Sequence, residues 1–158
     1  MRLKTAAVLI AAVAAIIFFV NREPAPSPIA ARGGGVETGL REVQWGTLRG
    51  MDAKTGVASP EVKALNASTV RVPGYIVPLD DNARDLGEFL LVPYMGACVH
   101  TPPPPPNQMI YVKMTRGQRA AFGLNDAVWV EGTIFLGSRS SPYGPVFYAM
   151  NAADVRRY

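Results

Sequence analysis

Asp126-Ala-Val-Trp-Val-Glu-Gly-Thr-Ile-Phe-Leu136 sets Val128, Val130 and Ile134 at even spacings, the period of a strand with one face in a core. Gly132 interrupts the run and marks a bend. Ser138-Arg-Ser-Ser-Pro-Tyr-Gly-Pro145 has the length of a hairpin loop and returns the chain to a second strand, Val146-Phe-Tyr-Ala-Met150. Upstream, Met109 to Met114 and Phe89 to Val92 read as short apolar strands. Thr69 to Leu79 reads as a longer one that Pro73-Gly74 breaks with a bulge. Short strands with Gly and Pro punctuation and little helix predict a mainly β fold, a small antiparallel OB-like barrel with short helices. An SH3-like barrel fits the pattern almost as well. The apolar phases predict a core of Val70, Val72, Leu90, Ile110, Val112, Val128, Val130, Ile134 and Phe147.

Three helical pieces are expected outside the strands. Leu40 to Leu48 reads as a short helix or entry turn anchored by Trp45, and Pro60-Glu-Val-Lys-Ala-Leu65 as one helical turn. Thr115 to Phe122 reads as a polar turn running into a brief helix.

The N-terminus carries a different signal. Arg2 and Lys4 precede an uncharged run, Thr5 to Val20, with the basic flank and apolar stretch of an export signal. Its sixteen residues make about 24 Å of helix, a little short of the roughly 30 Å hydrocarbon core. Asn21-Arg-Glu23 is charged and Ala25-Pro-Ser27 is followed by Pro28, so no good small-x-small cleavage site follows closely. The run is therefore expected to remain as an inner-membrane anchor with the rest of the chain in the periplasm; the alternative is a cleaved signal peptide and a soluble periplasmic domain. Pro24, Pro26, Pro28 and Gly33-Gly-Gly35 make residues 21–36 a linker that starts stiff and ends flexible. The expected organisation is thus an apolar segment over 1–20, a linker over 21–36 and a domain over 37–158.

A formal charge of +4 invites a nucleic-acid reading, and its distribution removes it. From Val36 onward twelve Lys and Arg face eleven Asp and Glu, so the excess sits near the membrane, where it sets topology. The domain has no basic footprint for nucleic acid. One cysteine in 158 residues makes no internal disulfide, so the fold rests on its apolar core.

That cysteine sits two residues from the chain's one histidine, in Glu88-Phe-Leu-Leu-Val-Pro-Tyr-Met-Gly-Ala-Cys-Val-His100. In an extended chain Cys98 and His100 project from one face, about 7 Å apart at Cβ. Pro102 to Pro106 follow, a segment without N–H groups that favours a stiff polyproline II rod. Thiolate and imidazole are zinc and copper ligands, and a shell built on Cys98 and His100 needs more donors. Candidates are Glu88, Asp80, Asp81 or Asp85 for zinc and Met95 for Cu(I), or a second chain's pair. The bland reading makes Cys98 a small buried residue and His100 a hydrogen-bonding group. Nucleophilic catalysis needs the imidazole within hydrogen-bond reach of the thiol, and no third orienting residue can be assigned. The rod is a recognition segment for an aromatic groove or a rigid cover on its own barrel. As a partner surface it comprises Tyr94, Pro102, Pro103, Pro104, Pro105, Pro106, Asn107 and Gln108.

Val72-Pro-Gly-Tyr-Ile-Val-Pro-Leu79, Phe89-Leu-Leu-Val-Pro-Tyr94, Gly96-Ala-Cys98, His100 and Pro102-Pro-Pro-Pro-Pro-Asn-Gln108 resemble the signature of an uncharacterised bacterial cell-envelope family, a domain of unknown function. The resemblance spans about residues 43 to 150. Its members are small secreted proteins or lipoproteins, some encoded beside ABC-transporter components linked to metal-responsive transport. No cysteine lies near this N-terminus, so no lipid anchor is expected. The resemblance implies an accessory role and no known activity; with the apolar N-terminal run and the Cys98–His100 pair, the expected function is a membrane-tethered periplasmic accessory or binding protein of an envelope transport system, related to zinc or copper. A structural envelope protein without ligand and a thiol- or metal-dependent enzyme are the alternatives.

Overall fold

The computed structural model describes residues 40–79, 85–97 and 102–158. The segments read as an export signal and a linker lie outside them. Among the described residues no helix is long and apolar enough to cross a membrane.

Among the described residues six strands form one mixed sheet: β1 (Arg41–Glu42), β2 (Ser68–Pro78), β3 (Glu88–Val92), β4 (Ile110–Met114), β5 (Ala127–Ser141) and β6 (Gly144–Arg157). The short helices are α1 (Trp45–Leu48), α2 (Pro60–Lys63) and a 3-10 turn at Pro106–Gln108. The order is β1-β2-β3-β4-β6-β5, and β5 pairs in turn with β2. An all-antiparallel sheet was the expectation, and two ladders correct it: β1 with β2 and β4 with β6 are parallel. The second follows from connectivity. The β5–β6 hairpin is antiparallel, and β6 slots in beside β4, so one intervening strand restores the original direction.

β2 runs beside β5 without a break from Ser68 to Tyr75, so the bulge expected at Pro73-Gly74 is absent. Across the other edge of β2, β1 covers Val70 and Arg71 and β3 begins at Tyr75. Between them the indole N–H of Trp45 donates to the Pro73 carbonyl at 2.6 Å. Because a strand residue's N–H and C=O share an edge, the proline's missing donor faces this gap and the ladder to β5 loses nothing. Gly74 serves close approach: a Cβ there would lie 2.8 Å from both Leu91 Cγ and the Val92 carbonyl oxygen. The register shifts lie instead in the β5–β6 ladder, between Glu131 and Gly132 and between Leu136 and Arg139, which bears out the bend read at Gly132.

α2 forms where expected. Ser59 Oγ accepts from the Val62 N–H and Pro60 occupies the first turn, where its missing N–H costs nothing. No helix forms over Thr115 to Phe122. Arg116 and Gly117 take left-handed conformations, with φ of 57° and 68°, which stops helix propagation. Ala120 then exchanges both backbone hydrogen bonds with Leu86. The hairpin is tighter than its sequence suggests. β5 runs to Ser141 and β6 starts at Gly144, leaving a two-residue turn in which Ser141 Oγ donates to the Gly144 carbonyl.

The main core gathers Val70, Val72, Ile110, Val112, Val128, Val130 and Ile134 as expected, with Tyr148 and Met150 from β6. Phe147 is corrected to a half-buried position. β6 turns Val146, Tyr148, Met150 and Ala152 inward, so Phe147 falls on the opposite phase. Leu90 is buried, but in a second, smaller cluster.

Candidate functional site

Glu88-Phe-Leu-Leu-Val92 is buried on both faces, which is why it reads as an unbroken apolar run. Phe89 and Leu91 enter the main core, while Leu90 and Val92 join Val77, Ala97, Met109 and Val146 on the other face of the sheet. Ala97, after β3, and Met109, just before β4, both belong to that second cluster. Ala97 is the last described residue before Cys98 and is fully buried. Gly96, at φ 79°, donates its N–H to Asn125 Oδ1 at 3.0 Å. Tyr94 and Met95 project outward, 46% and 64% exposed.

Cys98 and His100 lie outside the described residues, as do Asp80 and Asp81. The candidate ligands around them differ in availability. Met95 is open to solvent. Both Glu88 oxygens are engaged: Tyr111 donates its hydroxyl to Oε2 at 2.6 Å, and Lys113 Nζ lies 2.9 Å from Oε1. Asp85 is exposed, and its backbone carbonyl accepts from the Arg119 guanidinium at 2.6 Å. Among the described residues no three His, Cys, Asp or Glu side chains cluster closely enough to hold a metal. Of the two candidate added donors, Met95 is thus exposed and Glu88 already paired.

The hydrogen bond from Tyr111, then that from Lys113, holds the Glu88 carboxyl below the usual glutamate range. A carboxylate whose pKa is depressed on folding stabilises the fold above its unfolded pKa and loses that contribution as pH falls through the folded value. Melting temperature should therefore drop as acid is added from about pH 5 downward, and Glu88→Gln should flatten part of that slope. Parallel acid titrations of thermal stability check this; identical slopes would show that the pair contributes nothing.

The proline run has a definite sidedness. Pro102, Pro103 and Pro105 are exposed, Pro106 is half-buried and Pro104 is buried. Pro105 sits at φ −61° and ψ 156°, in the polyproline II region. With three residues per turn, one edge of such a rod faces the domain at Pro104 while Pro102 and Pro105 share an outward edge. Asn107 and Gln108, read as partner surface, are buried instead, at 7% and 5% exposure. Asn107 Nδ2 donates to the Met51 carbonyl at 2.6 Å, Gln108 Nε2 to the carbonyls of Asn107 and Trp45, and Arg49 Nε to Gln108 Oε1. The two amides pin the end of the rod to α1 and the turn behind it. Inward hydrogen bonding of this kind leaves no local mark in a sequence, because Asn and Gln are ordinarily surface residues.

The sequence reading also missed a groove of about 250 Å³ lined by Gln44, Trp45, Pro73, Tyr75, Pro93 and Tyr158, among others. Its rim continues into Trp129, which stacks on Tyr158 with ring centroids 5.2 Å apart and carries the Arg71 guanidinium 4.8 Å above it. These aromatics are far apart in sequence and belong to different elements, so no motif announces them. A second groove, of about 570 Å³, lies between the Thr55–Ala58 turn and the β5–β6 arm, with Phe147 in its lining.

Residues 42–157 match the family described as protein of unknown function (DUF3299). The crystal structure of a DUF3299 family protein from Pseudomonas aeruginosa PAO1 is similar at 35% identity, covering 75% of this chain and 96% of that one, with a TM-score of 0.60. A Leishmania major Friedlin protein designated an aspartyl-tRNA synthetase matches at 10% identity over 91% of this chain and 25% of that one; its TM-score of 0.46 carries no argument. No curated protein matches.

Proposed function

This chain belongs to the DUF3299 family of unknown function, and from that premise we propose that it is a membrane-tethered, envelope-side binding module. In this reading residues 5–20 anchor it in the inner membrane, and its domain is an OB-like barrel that serves a transport complex with ABC-transporter components. Its working surface is the rod and the Cys98–His100 pair, handling zinc or copper. The barrel reading is supported by the return of the strand order to β2. OB folds use the face of their second and third strands for ligands. On the matching face here, of β3 and β4, Leu90, Val92 and Tyr111 pack with Ala97 and Met109, which belong to the strap that joins the two strands, Pro93 to Met109.

The observation that carries the proposal is the sidedness of that strap. Pro104, Asn107 and Gln108 are tied inward while Tyr94, Met95, Pro102, Pro103 and Pro105 stand out. A segment needed only as a cover has no use for an exposed tyrosine, methionine and three prolines beside the chain's one thiol and one imidazole.

Titration of the chain with Zn(II), and with Cu(I) under anaerobic reduction, tests the metal reading. Cys98→Ser and His100→Ala should each abolish most binding, because losing one of few ligands leaves an incomplete shell. Their effects should be strongly non-additive. Equal and weak binding by wild type and both variants would sink the metal and leave partner recognition as the use of this surface.

A further inference from the structure

The rod's outward edge and the aromatic groove have complementary chemistry, and one chain carries both. Pro102 and Pro105 form a Pro-x-x-Pro ridge on an exposed edge that a buried Pro104 holds still. A proline run offers carbonyl acceptors and no N–H, so its receptor supplies ring faces and donors. The groove supplies both: the exposed Tyr158 and the half-buried Tyr75 give aromatic surface over the largely buried Trp45, and Pro73 and Pro93 an apolar wall. The Trp45 N–H is committed to Pro73, but the Tyr75 and Tyr158 hydroxyls have no hydrogen bond to another described residue. The groove, of about 250 Å³ and open along one side, has room for proline rings. The rod is stiff before it binds, so seating it costs little chain entropy.

We propose that two copies of this chain dock reciprocally, each seating its Pro102–Pro105 ridge in the other's groove of Trp45, Tyr75 and Tyr158. Two equivalent contacts close the assembly as a dimer. The proposal does not depend on whether Cys98 and His100 hold a metal.

The test is sedimentation of the full-length chain in non-ionic detergent over a range of protein concentrations. Wild type should pass from monomer to dimer. Tyr158→Ala, at a 74% exposed position, and the double change Pro102→Ser with Pro105→Ser should each weaken the dimer about tenfold or more. Near-ultraviolet circular dichroism checks that both variants stay folded. An equimolar mixture of the two variants should recover part of the association, because one groove and one ridge then remain intact across the pair. The acetylated peptide Pro-Pro-Pro-Pro-Pro-Asn-Gln should dissociate the wild-type dimer and shift tryptophan emission. A chain monomeric at every concentration overturns the proposal. So does a dimer indifferent to both variants, which assigns association to another segment. Saturable peptide binding by a chain that stays monomeric also overturns it, and assigns the groove to a proline-rich partner of different sequence.

Discussion

Tyr148→Ala should destabilise the domain by about 3 to 5 kcal/mol, the range for deleting a fully buried aromatic side chain. Tyr148 is completely buried in β6, opposite Ile110 of β4 and Leu136 of β5, so its ring joins two ladders on the core side. Its hydroxyl donates to the Leu48 carbonyl at 2.7 Å, at the end of α1. Burial pushes its ionisation well above the ordinary tyrosine range, so the phenol is a protonated donor at neutral pH. The two parts of the side chain are separable. Tyr148→Phe keeps the ring and leaves the Leu48 carbonyl with the Met51 N–H, at 3.2 Å, as its donor, so it should cost about 0.5 to 1.5 kcal/mol, the net worth of one hydrogen bond. Urea denaturation of both variants against wild type measures the difference. A Phe variant as stable as wild type would mean that the Met51 N–H satisfies the Leu48 carbonyl by itself and that Tyr148 holds the core by volume alone.

The position of Tyr148 shows where reading the sequence succeeds and where it stops. A period of two in β5 identifies Val128, Val130 and Ile134 without ambiguity, because Glu131 and Thr133 mark the opposite face. Val146-Phe-Tyr-Ala-Met150 offers no such marker. Every residue in it can be buried, so choosing Phe147 over Tyr148 is a choice of phase with no polar residue to decide it. The tyrosine that wins does so through a carbonyl one hundred residues away in the chain, a partner that local pattern cannot supply. The same limit governs the site. The strap is legible as an address because its cysteine, histidine and prolines are unusual in composition. Its sidedness is not, since that depends on Asn107 and Gln108 reaching Met51 and Trp45. The groove is invisible in sequence for the same reason: Trp45, Tyr75 and Tyr158 meet only through the pairing of β2 with β5 and the bond from Trp45 to Pro73.

Gly132→Ala should be among the most damaging single-methyl additions available in this chain. Gly132 lies in the middle of β5 between two ladders, paired with Val70 of β2 and Ala152 of β6, at the point where the β5–β6 register shifts. A Cβ there would stand 2.2 Å from the Asn151 carbonyl oxygen and 2.8 Å from Ala152 Cα. Both are backbone atoms, so no rotamer change relieves the clash. β5 and β6 must part at the centre of their long hairpin, losing hydrogen bonds and opening the core beneath Ile134 and Met150. The expected cost is about 3 kcal/mol or more, the upper end of what overpacking produces. Gly137 gives a matched control on the same strand, because a Cβ there meets nothing within 4 Å. Gly137→Ala should stay within about 0.5 kcal/mol of wild type. Thermal and urea denaturation of the two variants side by side separate a steric requirement from any general intolerance of β5 to side chains. If Gly132→Ala proved no worse than Gly137→Ala, the two strands would have to separate freely at the register shift, and the irregularity would be a flexible joint, not a place where backbone packs on backbone.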